Sequence, residues 1–129
     1  NNIDLTGSET ILVVEDNGNV RDIVCDILEK FGYSVVVAKN GVEALKSMAV
    51  SKESVALLLT DVVMPHMNGK ELYNELSQDF PKLKVIYMSG YTDNAIVHKG
   101  VLDEGVHFIK KPFTVQGILS KLRTVLNEE

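Results

Sequence analysis

The sequence predicts a doubly wound α/β domain, a three-layer sandwich whose five parallel strands run in the order 2-1-3-4-5. Three observations lead there. Short continuous apolar runs alternate with stretches whose apolar residues recur at helical spacing. Those runs carry no polar alternation, so both faces of the sheet must be covered, which favours parallel pairing. Glu15, Asp61, Ser89 and Lys111 directly follow the first, third, fourth and fifth runs, as where a parallel sheet opens its carboxyl ends onto a crevice. Right-handed crossovers with helices on both faces leave 2-1-3-4-5 as the common arrangement for five strands.

Residues 1–9 are polar and include a Gly-Ser pair; they are expected to be a tail or linker ahead of a domain spanning 10–127. Ile11-Leu12-Val13-Val14 is the first strand. Val20, Ile23, Val24, Ile27, Leu28 and Phe31 then form one helical stripe, closed by Gly32. Ser34–Ala38 is a second, β-branched strand. Gly41–Val50 is a second helix with Val42, Leu45, Met48 and Ala49 expected inward. Residues 55–60 form a third apolar strand ending at Asp61. A loop with Pro65 and Asn68-Gly69 leads to a third helix burying Leu72, Tyr73 and Leu76 and broken before Pro81. Val85–Met88 is the fourth strand, ending at Ser89-Gly90. Thr92 or Asp93 is placed to cap a fourth helix around 94–100. Val106–Lys110 is the fifth strand, leading into Lys111-Pro112. The last helix aligns Val115, Ile118, Leu119, Leu122 and Leu126, although Gly117 within it costs about 1 kcal/mol relative to Ala.

Composition narrows the functional classes. At 129 residues the chain is expected to be one domain. Hydrophobic residues at 45% and charged residues at 24% exclude a disordered chain. Lys and Arg number 13 against 18 Asp and Glu, a net charge of -5 that gives nucleic acid no basic face. The single cysteine, Cys25, excludes a disulfide scaffold and fits a reducing compartment. No apolar run approaches the roughly 18 residues of a membrane helix. A cytoplasmic domain without direct membrane contact is expected.

Chemistry gathers at the carboxyl ends of the strands: Glu15-Asp16 after the first, Asp61 after the third, Ser89 after the fourth, Lys111 after the fifth. Two carboxylates 4 Å apart repel by about 4 kcal/mol at an effective dielectric of 20, so three in one crevice require cations. Lys111 is one, and a hard divalent ion such as Mg²⁺ is the natural second. Taken singly, each has a plainer role: Asp16 or Asn17 as a helix cap, Ser89 as a turn hydroxyl, Lys111 as a surface lysine. Their convergence from four strand ends sets the plain readings aside.

The segments ILVVEDN (11–17), LLLTDVVMPHMNG (57–69), VIYMSGY (85–91) and HFIKKPF (107–113) resemble, in this order and spacing, the receiver domain of two-component response regulators. Asp16 to Asp61 is 45 residues and Asp61 to Lys111 is 50, both in keeping with that family. The resemblance implies Asp61 as phosphoacceptor, with Glu15, Asp16, Asp61 and the main-chain carbonyl of Val63 holding Mg²⁺. It implies Ser89 as switch hydroxyl, Phe108 as aromatic switch, and Lys111, directly before Pro112, as the phosphate-pairing lysine with a cis bond to the proline. Partners would be a histidine kinase or histidine phosphotransfer domain, and the molecule a monomer or weak dimer. It would catalyse its own phosphorylation and dephosphorylation without turning over a free substrate. The segments are most like C-terminal receivers of hybrid sensor histidine kinases. Glu15 departs from the Asp-Asp form of the acidic pair, a common variation.

Competing readings fare worse. A dinucleotide enzyme needs G-x-G-x-x-G where Glu15-Asp16-Asn17-Gly18 stands. Gly100 and Gly105 have P-loop spacing, but Val106-His107 follows them instead of Lys-Ser/Thr. An aspartyl phosphatase carries a second acid two residues on, at the position of Val63. None of His66, His98 and His107 is followed by an acid, as the phosphodonor histidine of the kinases that serve this family usually is, so the resemblance implies a donor on another molecule. The remaining rival is a pseudo-receiver that binds proteins and takes no phosphate.

Overall fold

The computed structural model describes residues 4–50, 54–90 and 107–128. Strands β1 (Thr10–Val14), β2 (Ser34–Ala38), β3 (Val55–Asp61), β4 (Lys84–Ser89) and β5 (Phe108–Lys110) form one sheet in the order β2-β1-β3-β4-β5. All four pairings are parallel. The described helices are α1 (Gly18–Lys30), α2 (Gly41–Val50), α3 (Gly69–Asp79) and the carboxy-terminal α4 (Val115–Leu126). The helix expected around 94–100, with its caps Thr92 and Asp93, lies outside the described residues.

Successive strand residues point to opposite faces, so the continuous apolar runs build two cores. Ile11, Val13, Leu57, Leu59, Ile86 and Met88 meet Val24 and Leu28 of α1 and Ile118, Leu119, Leu122 and Val125 of α4. Leu12, Val14 and Leu58 meet Ala44 and Met48 of α2 and Leu72 and Leu76 of α3. The sheet is therefore doubly wound, with a crossover reversal between β1 and β3.

Some residues on the expected stripes face outward. Ile23, Val42, Ala49 and Val115 are exposed, and each helix meets the sheet along a narrower line than its apolar pattern allows. In α2 the buried positions are Gly41, Ala44 and Met48. The fifth strand begins at Phe108, with His107 just outside it. Gly117 does not interrupt α4: it falls in the first turn, where its N–H donates to the Thr114 cap.

The lead-in also has a defined course. Gly7 N–H donates to Phe31 O and Ser34 N–H to Glu9 O, while Leu5 packs on the α1–α4 core. Gly32, at φ 99°, lies so close to Gly7 that a Cβ there would be 2.4 Å from the Gly7 carbonyl oxygen.

Candidate functional site

β1 and β3 are neighbours, so their carboxyl ends deliver Glu15, Asp16 and Asp61 to one place. Carboxylate oxygens of the three lie within 4.8 Å of one another. Glu15 and Asp61 are buried, at 1% and 5% exposure, while Asp16 is open to solvent. Asn17, not Asp16, caps α1: its side chain accepts from the N–H groups of Asn19 and Val20. That settles the competition between the two residues and leaves the Asp16 carboxylate to the crevice.

Asp61 is fixed from behind. Its main-chain oxygen accepts the Thr60 hydroxyl, and Gly69 approaches it so closely that a Cβ would sit 2.3 Å away. Gly69 N–H donates to Val62 O, and the Asn68–Glu71 capping box opens α3 at that point. The loop after the acid is thus tied back onto the strand it leaves. Val63 is 60% exposed, so only its main chain could serve a ligand.

From the other side, Lys111 N–H donates to Ser89 O at 2.7 Å, and the Lys111-Pro112 bond is cis. The Lys111 ammonium then lies 2.6 Å from Asp61 Oδ1 and 2.5 Å from Glu15 Oε1. Ser89 is buried at the end of β4. Phe108 is half-buried against the Val62–Tyr87 cluster, opposite Tyr87 in the ladder. Beside Lys111, an apolar hollow of about 400 Å³ is lined by Val20, Ile23, Lys111, Pro112 and Phe113.

The electrostatics follow from two buried acids sharing one ammonium. Burial, reinforced by the Glu15 carboxylate and opposed by Lys111, pushes Asp61 up to about 7. Burial pushes Glu15 up as well, but bonds to Asp61, Lys111 and the Asn17 N–H outweigh it and hold Glu15 near 2. For Lys111, burial acts downward, yet its two carboxylate partners raise it overall. Burial and the neighbouring Glu15 carboxylate thus make Asp61 the acid of the pair that more readily takes up a proton.

Glu15, Asp16 and Asp61 are gathered together at the carboxyl ends of the strands with Lys111 against two of them, whereas Phe108 stands at the start of β5 beside Tyr87. Arg21 is a participant the sequence did not signal. It falls off the apolar stripe of α1, among its polar residues, yet Nη1 donates to the Glu15 main-chain oxygen at 2.7 Å. Tyr91, which stands two past Ser89 and is expected with Val63 to flank the path of a hydrolytic water, lies outside the described residues.

Fold and site define a doubly wound α/β domain whose crevice sets three carboxylates and an ammonium around a common point. Residues 11–123 match the response regulator receiver domain, and the chain belongs to that family. It is 36% identical over 126 residues to the sensor kinase CckA of Brucella abortus, covering 98% of this chain but only 13% of the kinase. The receiver domain of the hybrid histidine kinase CckA is similar in structure, with TM-score 0.75, 28% identity and coverage of 92% of this chain and 99% of that one. The response regulator TrrA of Thermotoga maritima, solved in complex with Mg²⁺-BeF, matches with TM-score 0.74 and 26% identity over 91% of this chain and 98% of its own. Among the described residues no helix is long and apolar enough to cross a membrane.

Proposed function

We infer that this domain, spanning residues 10–127 after the lead-in, accepts a phosphoryl group from a partner's phosphohistidine onto Asp61 in a cytoplasmic phosphorelay. The observation that carries this reading is the buried Asp61 carboxylate, held between Lys111 at 2.6 Å and the Glu15–Asp16 pair. The all-oxygen donor set, two members of it buried and short of positive charge, fits Mg²⁺ held by Glu15, Asp16, Asp61 and the Val63 carbonyl. Bound there, Mg²⁺ would screen the incoming phosphoryl oxygens and keep Asp61 ionised. The Mg²⁺-BeF complex of TrrA supports the assignment.

The chain's own residues do the rest. An Asp61 oxygen attacks phosphorus in line, the P–N bond breaks, and the imidazole nitrogen leaves with the electron pair. Lys111 neutralises the oxygens of the transferring group, and the Ser89–Lys111 main-chain bond sets its reach. The apolar hollow beside Lys111 gives the donor, a histidine kinase or histidine phosphotransfer domain, a surface to rest on. Once Asp61 carries the phosphoryl group, the Ser89 hydroxyl moves to bond it. Phe108 fills the vacated space and alters the surface formed by the fifth strand and last helix with the helix expected around 94–100.

Intact-mass analysis after incubation with acetyl phosphate or phosphoramidate tests the reading, with and without Mg²⁺ and beside Asp61→Asn. One added phosphoryl group that requires both Mg²⁺ and Asp61 is expected. No gain under any condition would leave a pseudo-receiver that acts by binding alone.

A further inference from the structure

We propose that Arg21 is a positioning residue for the acidic pair: its guanidinium locks the peptide joining Glu15 to Asp16 and so sets how Asp16 enters the crevice. The inference rests on the metal-binding reading above.

Glu15 is held at every polar atom. Its N–H donates to Ala38 O at 3.1 Å, prolonging the β1–β2 ladder past the end of β1. Oε1 meets the Lys111 ammonium and Oε2 accepts the Asn17 N–H at 3.1 Å. The main-chain oxygen is the remaining group, and Arg21, six residues on, reaches back across the first turn of α1 to donate to it at 2.7 Å. Arg21 is itself anchored, since its N–H donates to the oxygen of the Asn17 cap at 2.9 Å. Asp16, by contrast, is exposed, and its carboxylate makes no hydrogen bond to the described residues. The peptides on either side of Asp16 therefore set where its Cα–Cβ bond points, and with it the side of the crevice from which the carboxylate can approach. Asn17 fixes the one that follows, as the cap of α1, and Arg21 fixes the one that precedes.

A competing account makes Arg21 only a positive charge near a cation site, and it predicts the opposite sign. If Arg21 acts by charge, removing it tightens Mg²⁺ binding; if it acts by position, removing it weakens binding. The test is calorimetric Mg²⁺ titration of the wild type, Arg21→Ala, Arg21→Lys and the exposed neighbour variant Asp22→Ala. Far-UV circular dichroism and metal-free melting are run on each as folding controls. Arg21→Ala is expected to weaken Mg²⁺ about tenfold, as loss of a partner that orients a ligand does elsewhere. Arg21→Lys, which keeps a donor within reach of the carbonyl, should restore most of the affinity, and Asp22→Ala should not show the loss. Unchanged or tighter binding by Arg21→Ala overturns the proposal, as does Arg21→Lys as weak as Arg21→Ala. A wild type that binds no Mg²⁺ overturns the metal reading and this inference with it, whereas a binding wild type with an indifferent Arg21→Ala overturns the inference alone.

Discussion

Asp61 is the residue at which the site's function and its stability oppose each other. Its pKa in the folded chain, about 7, stands above the ordinary value of 3.8. Across that interval the folded state binds more protons than the unfolded one, so stability falls as pH rises from about 4 to 7. Asp61→Asn removes the titration but also the bond to Lys111, so the net gain is modest. We expect it to raise the unfolding free energy by about 1 kcal/mol at pH 8, a gain that fades below pH 5. Urea titrations at the two pH values check this, and a variant less stable than the wild type at pH 8 would contradict it. Two residues on, Val63 projects into solvent and offers neither amide nor acid to orient a hydrolytic water. Slow self-dephosphorylation follows, and Val63→Asn should shorten the phosphoryl lifetime, as read by the decay of the phosphorylated mass. A wild-type lifetime of only seconds would refute the argument.

At the scale of elements, what the sequence made legible was whatever depends on local pattern. The apolar runs 11–14, 55–60 and 85–88 mark their strands because burial on both faces leaves no room for polar alternation. The acids after β1 and β3 then had to converge once the strand order was fixed. Legibility ended where a residue's role depends on a distant partner. Arg21 shares the spacing of the solvated residues of α1, and only the turn back to Glu15 O separates it from them. Ile23 fits the apolar stripe yet stays at the surface, because α1 meets the core along Val24 and Leu28. The junction of β3 and α3 is another long-range constraint. Gly69 lies against the Asp61 carbonyl with no space for a Cβ, so Gly69→Ala must displace either the helix or the acid. The expected cost is about 2–3 kcal/mol by chemical denaturation, with impaired phosphorylation of the folded fraction. A variant of wild-type stability would mean that the junction yields more easily than its packing implies.

Across the whole molecule, the crevice and the lead-in occupy opposite ends of the sheet, and Arg123 adds side-chain bonds to the main-chain bonds and Leu5 packing that hold the second. Arg123 of α4 makes paired bonds to Glu9 at 2.9 and 3.0 Å, donates to Tyr33 Oη at 3.1 Å and Thr6 O at 3.3 Å, and stands 5.9 Å from the Tyr33 ring centroid. It therefore joins residues 6–9, the start of β2 and the last helix, segments more than 100 positions apart in part of the network. The Arg123 guanidinium holds the Glu9 carboxyl below its ordinary value, against the upward push of burial. A lowered carboxylate stabilises the fold above its unfolded pKa of 4.5, and that contribution is lost as pH falls through the lower folded value. Partial exposure weakens the ion pair, but the bidentate geometry and the added bonds to Tyr33 and Thr6 place it above an isolated surface pair. Arg123→Ala should therefore cost about 1–2 kcal/mol at pH 7. A double-mutant cycle with Glu9→Gln at pH 7 and pH 3 separates the pair from its surroundings. The coupling energy should be positive at pH 7 and smaller at pH 3, nearer to the lowered value through which folded Glu9 takes up its proton. Equal coupling at both pH values would show that Arg123 holds the lead-in through Tyr33 and the Thr6 carbonyl, with the charge of Glu9 incidental.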